Sequence, residues 1–400
     1  MKKKCNICNK KFIDFLSLGK HPCADTFLKT KNQAKSLKKY PLVVGFCKCS
    51  HLTTIYPVPK YERYEKYDYS YTSDNSPVSR AHFKNIANII FKKFKIDKNS
   101  FVVEAGSNDG TFLSEVKKIS NAKVLGVDPS SNISRIAKKR KIKTFVSYFD
   151  YQASRKIKRT YGSADIFYAA NVFNHVDNNI NFIDGVSFLL KKNGILVLEV
   201  PDLKSLISKT GFDTIYHEHR HYYSEKSIAK ILEKKNFNVI KIQKINYMAG
   251  SLRVFAKKNN YNFKNINKFS SVNLSQFKNF KKKIKLVIKE IKLFVNKSIK
   301  NQERVYGIGA ATKGNTLLNC CGFDDTTIKF ILDRSKYKIN KFTPGSAIKI
   351  IKEKKNLQIK IALILPWNIT NHLLKKFSKK RKIVYTSIPK VINKTKWKKL

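Results

Sequence analysis

Phe101-Val102-Val103-Glu104-Ala105-Gly106-Ser107-Asn108-Asp109-Gly110-Thr111 reads as a strand, a glycine turn and the start of a helix. Gly106 and Gly110, with Asn108 between them, let the backbone pass close to a ligand without a Cβ clash. Glu104 sets an acid at the strand's end. The next apolar run closes as Leu125-Gly126-Val127-Asp128, so a second acid stands about 24 residues after the first, placed to take both hydroxyls of a ribose. The loop is not Gly-x-Gly-x-x-Gly, and its helix end has no diphosphate to hold. The two halves together favour S-adenosylmethionine over NAD as the cofactor. Alone, either half is a glycine turn found in other doubly wound proteins.

Working outward, apolar runs bounded by turn residues recur at 101–106, 123–128, 143–148, 164–172 and 194–200. Amphipathic stretches separate them, such as 79–95, 131–139 and 180–192. This alternation predicts a parallel sheet with helices on both faces. The runs 238–245 and 251–257 lie too close together for a helical crossover and predict an antiparallel hairpin. Seven strands ending in an antiparallel pair is the layout of class I methyltransferases, an α/β, Rossmann-like fold. Carboxyl ends of strands face the ligand crevice in such sheets. Asn171 and His175, in Ala169-Ala170-Asn171-Val172-Phe173-Asn174-His175, therefore belong near the cofactor's methyl and the substrate; the other reading is a capping Asn and a surface His.

The flanks differ in character. Residues 1–60 are cysteine-rich, and 61–75 are dense in Tyr, Ser and Asp, like a connecting loop. Residues 273–300 read as a Lys-rich amphipathic helix, with Phe277, Phe280, Ile284, Val287, Ile288, Ile291 and Phe294 at three- and four-residue spacing. An interdomain strut and a dimer contact both fit it, so monomer and homodimer stay open. A further α/β pattern begins at Arg304-Val305-Tyr306-Gly307-Ile308-Gly309-Ala310-Ala311 and continues in Ile328-Lys329-Phe330-Ile331-Leu332-Asp333.

The chain has 400 residues, 42% hydrophobic and 12% aromatic, enough for two or three compact domains and too apolar for a disordered tail. No uncharged apolar run reaches the roughly 18 residues of a membrane span. Met1-Lys2-Lys3-Lys4 is followed by Cys5-Asn6-Ile7-Cys8, where a signal peptide needs an apolar stretch. A soluble, cytoplasmic protein is the expectation. Lys plus Arg is 82 against 27 acids, a net charge of +55. That balance raises nucleic acid as a partner, and an RNA-acting methyltransferase as the alternative function. The excess is almost all Lys, spread along the chain with Asn and Ile as in AT-rich coding, whereas base and phosphate recognition favours Arg forks. Nucleic acid is therefore not the expected partner. The field still favours an anionic substrate such as a nucleotide diphosphate.

Five of the seven cysteines fall within the first 49 residues, and an odd count without a signal peptide argues against a disulfide framework. The clustering of Cys5, Cys8, Cys23, Cys47 and Cys49 points to a metal site. Elsewhere, Phe212-Asp213-Thr214-Ile215-Tyr216-His217-Glu218-His219-Arg220-His221-Tyr222-Tyr223-Ser224 holds three of the chain's eight histidines. Histidine is the natural general base near neutral pH, and a carboxylate beside it can fix its tautomer. A zinc site and a solvated polar loop are the rival readings of this segment.

These residues resemble the nucleotide-sugar C-methyltransferases, three-domain enzymes that methylate a carbon next to the keto group of NDP-4-keto-deoxyhexoses. The resemblance spans nearly the whole chain. It includes the Cys-x-x-Cys start, Leu18-Gly19-Lys20-His21-Pro22-Cys23-Ala24-Asp25, Tyr69-Ser70-Tyr71-Thr72-Ser73, Glu104 to Gly110, Asn171 to His175 and Glu199-Val200-Pro201. Tyr216-His217-Glu218-His219 and Gly309-Ala310-Ala311-Thr312-Lys313-Gly314-Asn315-Thr316 are its specific parts; Asp333-Arg334-Ser335, Pro344-Gly345 and Trp367-Asn368 support them. The resemblance implies a zinc-binding domain at 1–60, a methyltransferase domain at 61–258 and a nucleotide-sugar-binding, Rossmann-like domain at 259–400. It implies His219 as the base, with Glu218, Tyr216 and Tyr71 positioning the sugar or polarising its keto oxygen, and His175 and Asn171 completing the site. Glu104, Gly106, Asn108, Gly110 and Asp128 would hold S-adenosylmethionine. Lys313 and Asn315 would reach the diphosphate of the nucleotide, of dTDP type, and Asp333 and Arg334 would touch its nucleoside; a packing turn at Gly309 to Gly314 is the other reading. Cys5, Cys8, Cys47 and Cys49 would hold a structural zinc ion. Two features depart from the family. The second cysteine pair is Cys-x-Cys, one residue short, which brings in His51 or Cys23 as substitute ligands. Met248-Ala249-Gly250-Ser251 stands for Gly-Gly-Ser, which leaves the sugar, the carbon and the stereochemistry open.

Overall fold

The computed structural model describes residues 4–67, 70–74, 76–259, 266–353, 359–377, 383–386, 388 and 392–393. Tyr69 of the linker motif lies outside the described residues. Among the described residues, three sheets organise the chain.

The central sheet has seven strands in the order Phe237–Ile245, Ser251–Lys258, Leu190–Pro201, Ala164–Ala170, Phe101–Ala105, Lys123–Val127, Thr144–Phe145. Its core is parallel, with Val103 opposite Leu125 and Phe167. Ser251–Lys258 runs antiparallel to both its neighbours. The hairpin read from 238–245 and 251–257 is thus present, and so is the layout of a class I methyltransferase. All five residues of Phe101–Ala105 are buried, as a strand covered on both faces requires. The run 143–148 pairs only at Thr144–Phe145, because it is the sheet's outer edge and Ser147 turns its N–H back to the Asp128 carbonyl (3.2 Å).

The first sheet is antiparallel: Asp14–His21, Tyr40–Cys47, His51–Thr54 and His221–Tyr223. Its fourth strand arrives from about 170 residues further along the chain, directly after the Tyr-His-Glu-His segment. The third sheet follows the order Ile350–Lys352, Ile331–Asp333, Val305–Ile308, Ile361–Ile364, Ile383–Thr386, Ile392–Asn393, parallel up to its last pair.

A helix at Leu274–Lys300 opens on a capping box between Asn273 and Gln276. Its apolar stripe buries Phe277, Phe280, Ile284, Val287 and Ile291 in one core with Phe46 of the first sheet and Val305 and Leu363 of the third. Phe277 stacks on Phe46 with ring centroids 4.7 Å apart. The helix is an internal strut, with Leu286 and Leu293 on its outer face. Among the described residues no helix is long and apolar enough to cross a membrane.

Candidate active site

The glycine turn sits at the carboxyl end of the central strand. Gly106 has φ +63°, and a Cβ there would meet Val172 Cγ2 at 2.1 Å. The loops 106–110 and 171–175 therefore touch at a point only glycine allows. Asp128 accepts from the Asn108 N–H and the Ser130 N–H, each at 2.9 Å, one on each oxygen. The Ser130 side chain bonds to the same carboxylate. Glu104 is buried, and its Oε2 has no partner among the described residues. Burial, with Asp109, Asp128 and Glu199 nearby, holds its carboxyl well above the usual range. A buried acid with an unused oxygen beside a second buried acid is a donor set that fits the amine and hydroxyls of S-adenosylmethionine. Asn171, at φ +54°, donates its N–H to the Glu199 carbonyl (2.8 Å). The Asn108 side chain reaches across to the linker, accepting from the Ser73 N–H (2.9 Å) and donating to the Tyr71 carbonyl (3.2 Å).

The Tyr-His-Glu-His segment is a tight turn between the short helix Phe212–Thr214 and the strand His221–Tyr223. His219 Nδ1 lies 2.8 Å from the Thr214 carbonyl, which can only accept. Nδ1 therefore carries the hydrogen, and Nε2 is a lone pair that accepts from the Tyr216 hydroxyl at 2.7 Å. Burial lowers the His219 pKa to about 4, so the ring is neutral at pH 7. His175 packs edge-on against it, centroids 4.8 Å apart, and burial likewise holds His175 well below the ordinary range, with His219 and Arg63 adding to it. Glu218 turns the other way. Its Oε1 accepts from the Asp25 N–H (3.0 Å), its Oε2 has no partner among the described residues, and burial raises its pKa to about 7.

Tyr216, His219 and His175 are thus gathered in one cluster beside the cofactor loop. Tyr71 belongs to a neighbouring group: burial raises its phenol, and its hydroxyl bonds to those of Tyr247 and Ser79. Tyr247 stacks flat on His82, centroids 3.7 Å apart, and His82 Nε2 lies 2.7 Å from Glu199. Arg253 pairs with the same carboxylate at 2.6 Å.

Two residues at this site were not singled out from sequence. Tyr64 places its hydroxyl 2.9 Å from His175 Nδ1 and donates to the Glu218 carbonyl at 3.2 Å, so it bridges two members of the cluster. It lies on a single π-helical turn, Tyr61–Glu65, a form found often at functional sites. The same turn buries Arg63, which grips Asp177 through both carboxylate oxygens (2.7 and 2.8 Å). Asp25, the second, joins three units: its carboxylate accepts from Ser70 (2.9 Å) and Thr312 (2.7 Å), while its N–H holds Glu218. The tyrosine density of 61–75 was the only hint of the first.

In the third unit, Lys313 Nζ donates to Asn368 Oδ1 and lies 4.2 Å from the Trp367 ring centroid. Trp367 Nε1 donates to Asp213 at 2.9 Å, next to the signature. Asn315 is buried, and its Nδ2 donates to the Ala24 carbonyl (2.7 Å). Asp333 accepts from the Ala310 N–H (2.6 Å) and Ser335 N–H (2.7 Å) at its strand end, and Arg334 is exposed, 3.4 Å from Glu353.

Cys5, Cys8, Cys47 and Cys49 bring their four sulfur atoms within 4.8 Å of one another. Cys5 and Cys49 are 3.7 Å apart, Cys8 and Cys47 3.1 Å. Tetrahedral zinc with Zn–S near 2.3 Å asks for sulfurs about 3.8 Å apart, so the set fits that ion. The short Cys47-Lys48-Cys49 pair works because Ser50 adopts φ +61° and closes the hairpin. Cys23 lies apart, near Glu218, and His51 touches Cys5 (3.3 Å) without joining the four.

Three family models match in tandem: "Putative zinc binding domain" over residues 5–64, "Methyltransferase domain" over 79–242 and "C-methyltransferase C-terminal domain" over 247–386. The C-methyltransferase NovU of Streptomyces niveus is 28% identical over 361 residues, covering 87% of this chain and 85% of that protein. Among solved structures, magnesium protoporphyrin IX methyltransferase of Synechocystis PCC 6803 with bound SAH is 16% identical, covers 46% of this chain and 88% of its own, and has a TM-score of 0.36. Geranyl diphosphate C-methyltransferase of Streptomyces coelicolor A3(2) is 10% identical, covers 46% and 84%, and also has a TM-score of 0.36. Fold and cofactor loop define an S-adenosylmethionine-dependent methyltransferase with a zinc-binding amino-terminal domain. More particularly, the carboxy-terminal model and the NovU relative support a C-methyltransferase.

Proposed function

We propose that this C-methyltransferase deprotonates and methylates the carbon next to the keto group, C3, of a nucleotide-linked 4-keto-deoxyhexose. One observation carries the reading: a buried, neutral imidazole with its tautomer fixed by the Thr214 carbonyl and its Nε2 beside a phenol donor. A hydrogen on carbon next to a ketone needs a base to take it and a donor to stabilise the oxyanion that forms. His219 Nε2 takes the proton from C3. The Tyr216 hydroxyl, released from Nε2 when the sugar enters, donates to the keto oxygen. His175 packs against the base and holds its ring plane, and Tyr64 holds His175. Bound S-adenosylmethionine supplies an electrophilic methyl that the carbanion carbon attacks in line.

Lys313 is the cation offered to the diphosphate of the substrate, with Asn315, Asp333 and Arg334 around the nucleotide. Three arginines, Arg63, Arg220 and Arg253, are buried in pairs with Asp177 and Glu199 and are not presented to a nucleic-acid phosphate. The proposed substrate is a dTDP-linked sugar, and the proposed place of action is the cytoplasm.

The test is proton exchange without transfer. The protein is incubated in D2O with S-adenosylhomocysteine and a dTDP-4-keto-deoxyhexose, and the C3 proton is followed by NMR. The native chain exchanges it. His219→Ala binds S-adenosylhomocysteine as before and does not. Exchange that survives in the variant removes His219 as base, and no exchange or methylation with any keto sugar in the native chain removes the substrate class.

A further inference from the structure

Two buried imidazoles join the thiolate cluster to the segment that carries His219. His51 is fully buried and lies opposite Cys47 in the hairpin. Its Nδ1 is 3.3 Å from Cys5 Sγ, and its Nε2 is 3.2 Å from His221 Nδ1. The two rings stack, centroids 5.1 Å apart at 19°. His221 stands two residues after His219, on the strand that pairs with His51–Thr54.

One arrangement of hydrogens satisfies these contacts together. The Thr53 hydroxyl gives its one hydrogen to the Arg220 carbonyl (2.9 Å), so toward His221 Nδ1 (3.1 Å) it accepts. His221 therefore carries its hydrogen on Nδ1 and shares it with His51 Nε2. His51, an acceptor at Nε2, carries its own hydrogen on Nδ1, aimed at the Cys5 sulfur. A metal-bound thiolate is the acceptor that such an N–H needs, and an outer-shell donor of this kind is what orients metal ligands generally.

The other end of the path is also held. The Asn174 carbonyl accepts both the Arg220 N–H (2.7 Å) and the His221 N–H (3.0 Å), tying the strand to the loop that bears His175. Tyr223 stacks on Phe173 with centroids 5.0 Å apart.

We propose that His51 and His221 are positioning residues for the methyl-transfer site. The metal-bound Cys5 thiolate fixes His51, His51 fixes His221, and the strand so registered sets the turn in which His219 presents Nε2. The metal centre thus holds the base as well as its own domain. This rests on the reading of His219 as the base.

The test uses the full chain with its zinc content measured. His51→Asn keeps an amide donor near Cys5 and removes the ring that reaches His221. Zinc stoichiometry and S-adenosylhomocysteine affinity stay at the native level. Amide-exchange protection of residues 214–224 falls about tenfold while that of 101–110 is unchanged. The 15N spectrum of the His219 imidazole loses its single Nδ1–H tautomer signature, and C3 exchange slows roughly tenfold. Unchanged protection and an unchanged tautomer overturn the proposal, as does an equal loss of protection in all three units. Should His51→Asn not fold, the same two readouts are taken on the native chain before and after a chelator strips the zinc, with the same outcomes deciding. Protection and tautomer do not depend on turnover. A failure of the base reading, seen as C3 exchange in His219→Ala, is thereby separate from a failure of this one.

Discussion

Glu218 and His219 are neighbours in the chain, and one cause, burial, moves them in opposite directions. Removing water disfavours the charged form of each, so the imidazole falls to about 4 and the carboxyl rises to about 7. Two expectations follow at this scale. A base whose neutral form persists to low pH gives a proton-exchange profile whose acid limb lies near 4, against 6.5 for an ordinary histidine. A rate-pH profile with its limb near 6.5 would show a solvated ring. For Glu218, the folded state keeps a proton between 4.5 and about 7 that the unfolded state has lost. Stability from this group is therefore lost as pH rises through that window, by roughly 3 kcal/mol at most. Glu218→Gln keeps the acceptor for the Asp25 N–H and removes the titration. Its stability relative to the native chain is expected to improve from pH 5 to pH 8 in urea unfolding; an equal difference at both pH values would mean the carboxyl does not titrate there.

At the scale of elements, the site hangs on two close approaches. The first is Gly106 against Val172. Gly106→Ala adds a Cβ 2.1 Å from Val172 Cγ2 at a φ of +63°. A cost of about 1–3 kcal/mol is expected from the backbone alone. The displaced loop 171–175 should weaken S-adenosylhomocysteine binding by at least about tenfold, roughly 1.4 kcal/mol, in a calorimetric titration. Native affinity would show that this contact does not shape the cofactor site. The turn at Gly106 was legible because its signal is local: an apolar run, two glycines and an acid at the next strand's end. The second approach is the pairing of His221–Tyr223 with His51–Thr54, and the sequence carried no sign of it. Three residues show no periodicity, and a partner about 170 positions away leaves no spacing to read. Tyr64 was hidden for a related reason. Its role depends on a π-turn that aims it at His175, and nothing in Tyr61-Glu62-Arg63-Tyr64-Glu65 distinguishes one tyrosine from the other. The four thiols were visible as a cluster, but their sorting from Cys23 and His51 needed the hairpin that Ser50 closes.

At the scale of the whole molecule, the third unit meets the middle one through ionisable groups that burial disfavours. Asp213 is raised to about 6 by burial, and Lys313 is lowered to about 8 by burial in spite of its attraction to Asp213. Each shift runs against the charged form, so desolvation outweighs the mutual attraction. Such a pair costs stability when charged, while removing one partner costs more than removing both. Lys313→Met is then expected to lower the thermal midpoint at pH 8, where Asp213 is ionised without its cation, and much less at pH 5, where the carboxyl is neutral. Asp213→Asn with Lys313→Met should recover the midpoint, because the amide still accepts from Trp367 Nε1 and no charge is buried. Two buried charges that together gain the chain nothing in stability point to a role in binding. Calorimetric titration of the double variant with dTDP decides the matter: a midpoint at or above the native value with dTDP affinity at least about tenfold weaker, roughly 1.4 kcal/mol, identifies the ammonium as a diphosphate ligand. Native dTDP affinity in that variant would return Lys313 to a purely interdomain role and move the search for the diphosphate cation to other lysines of the third unit.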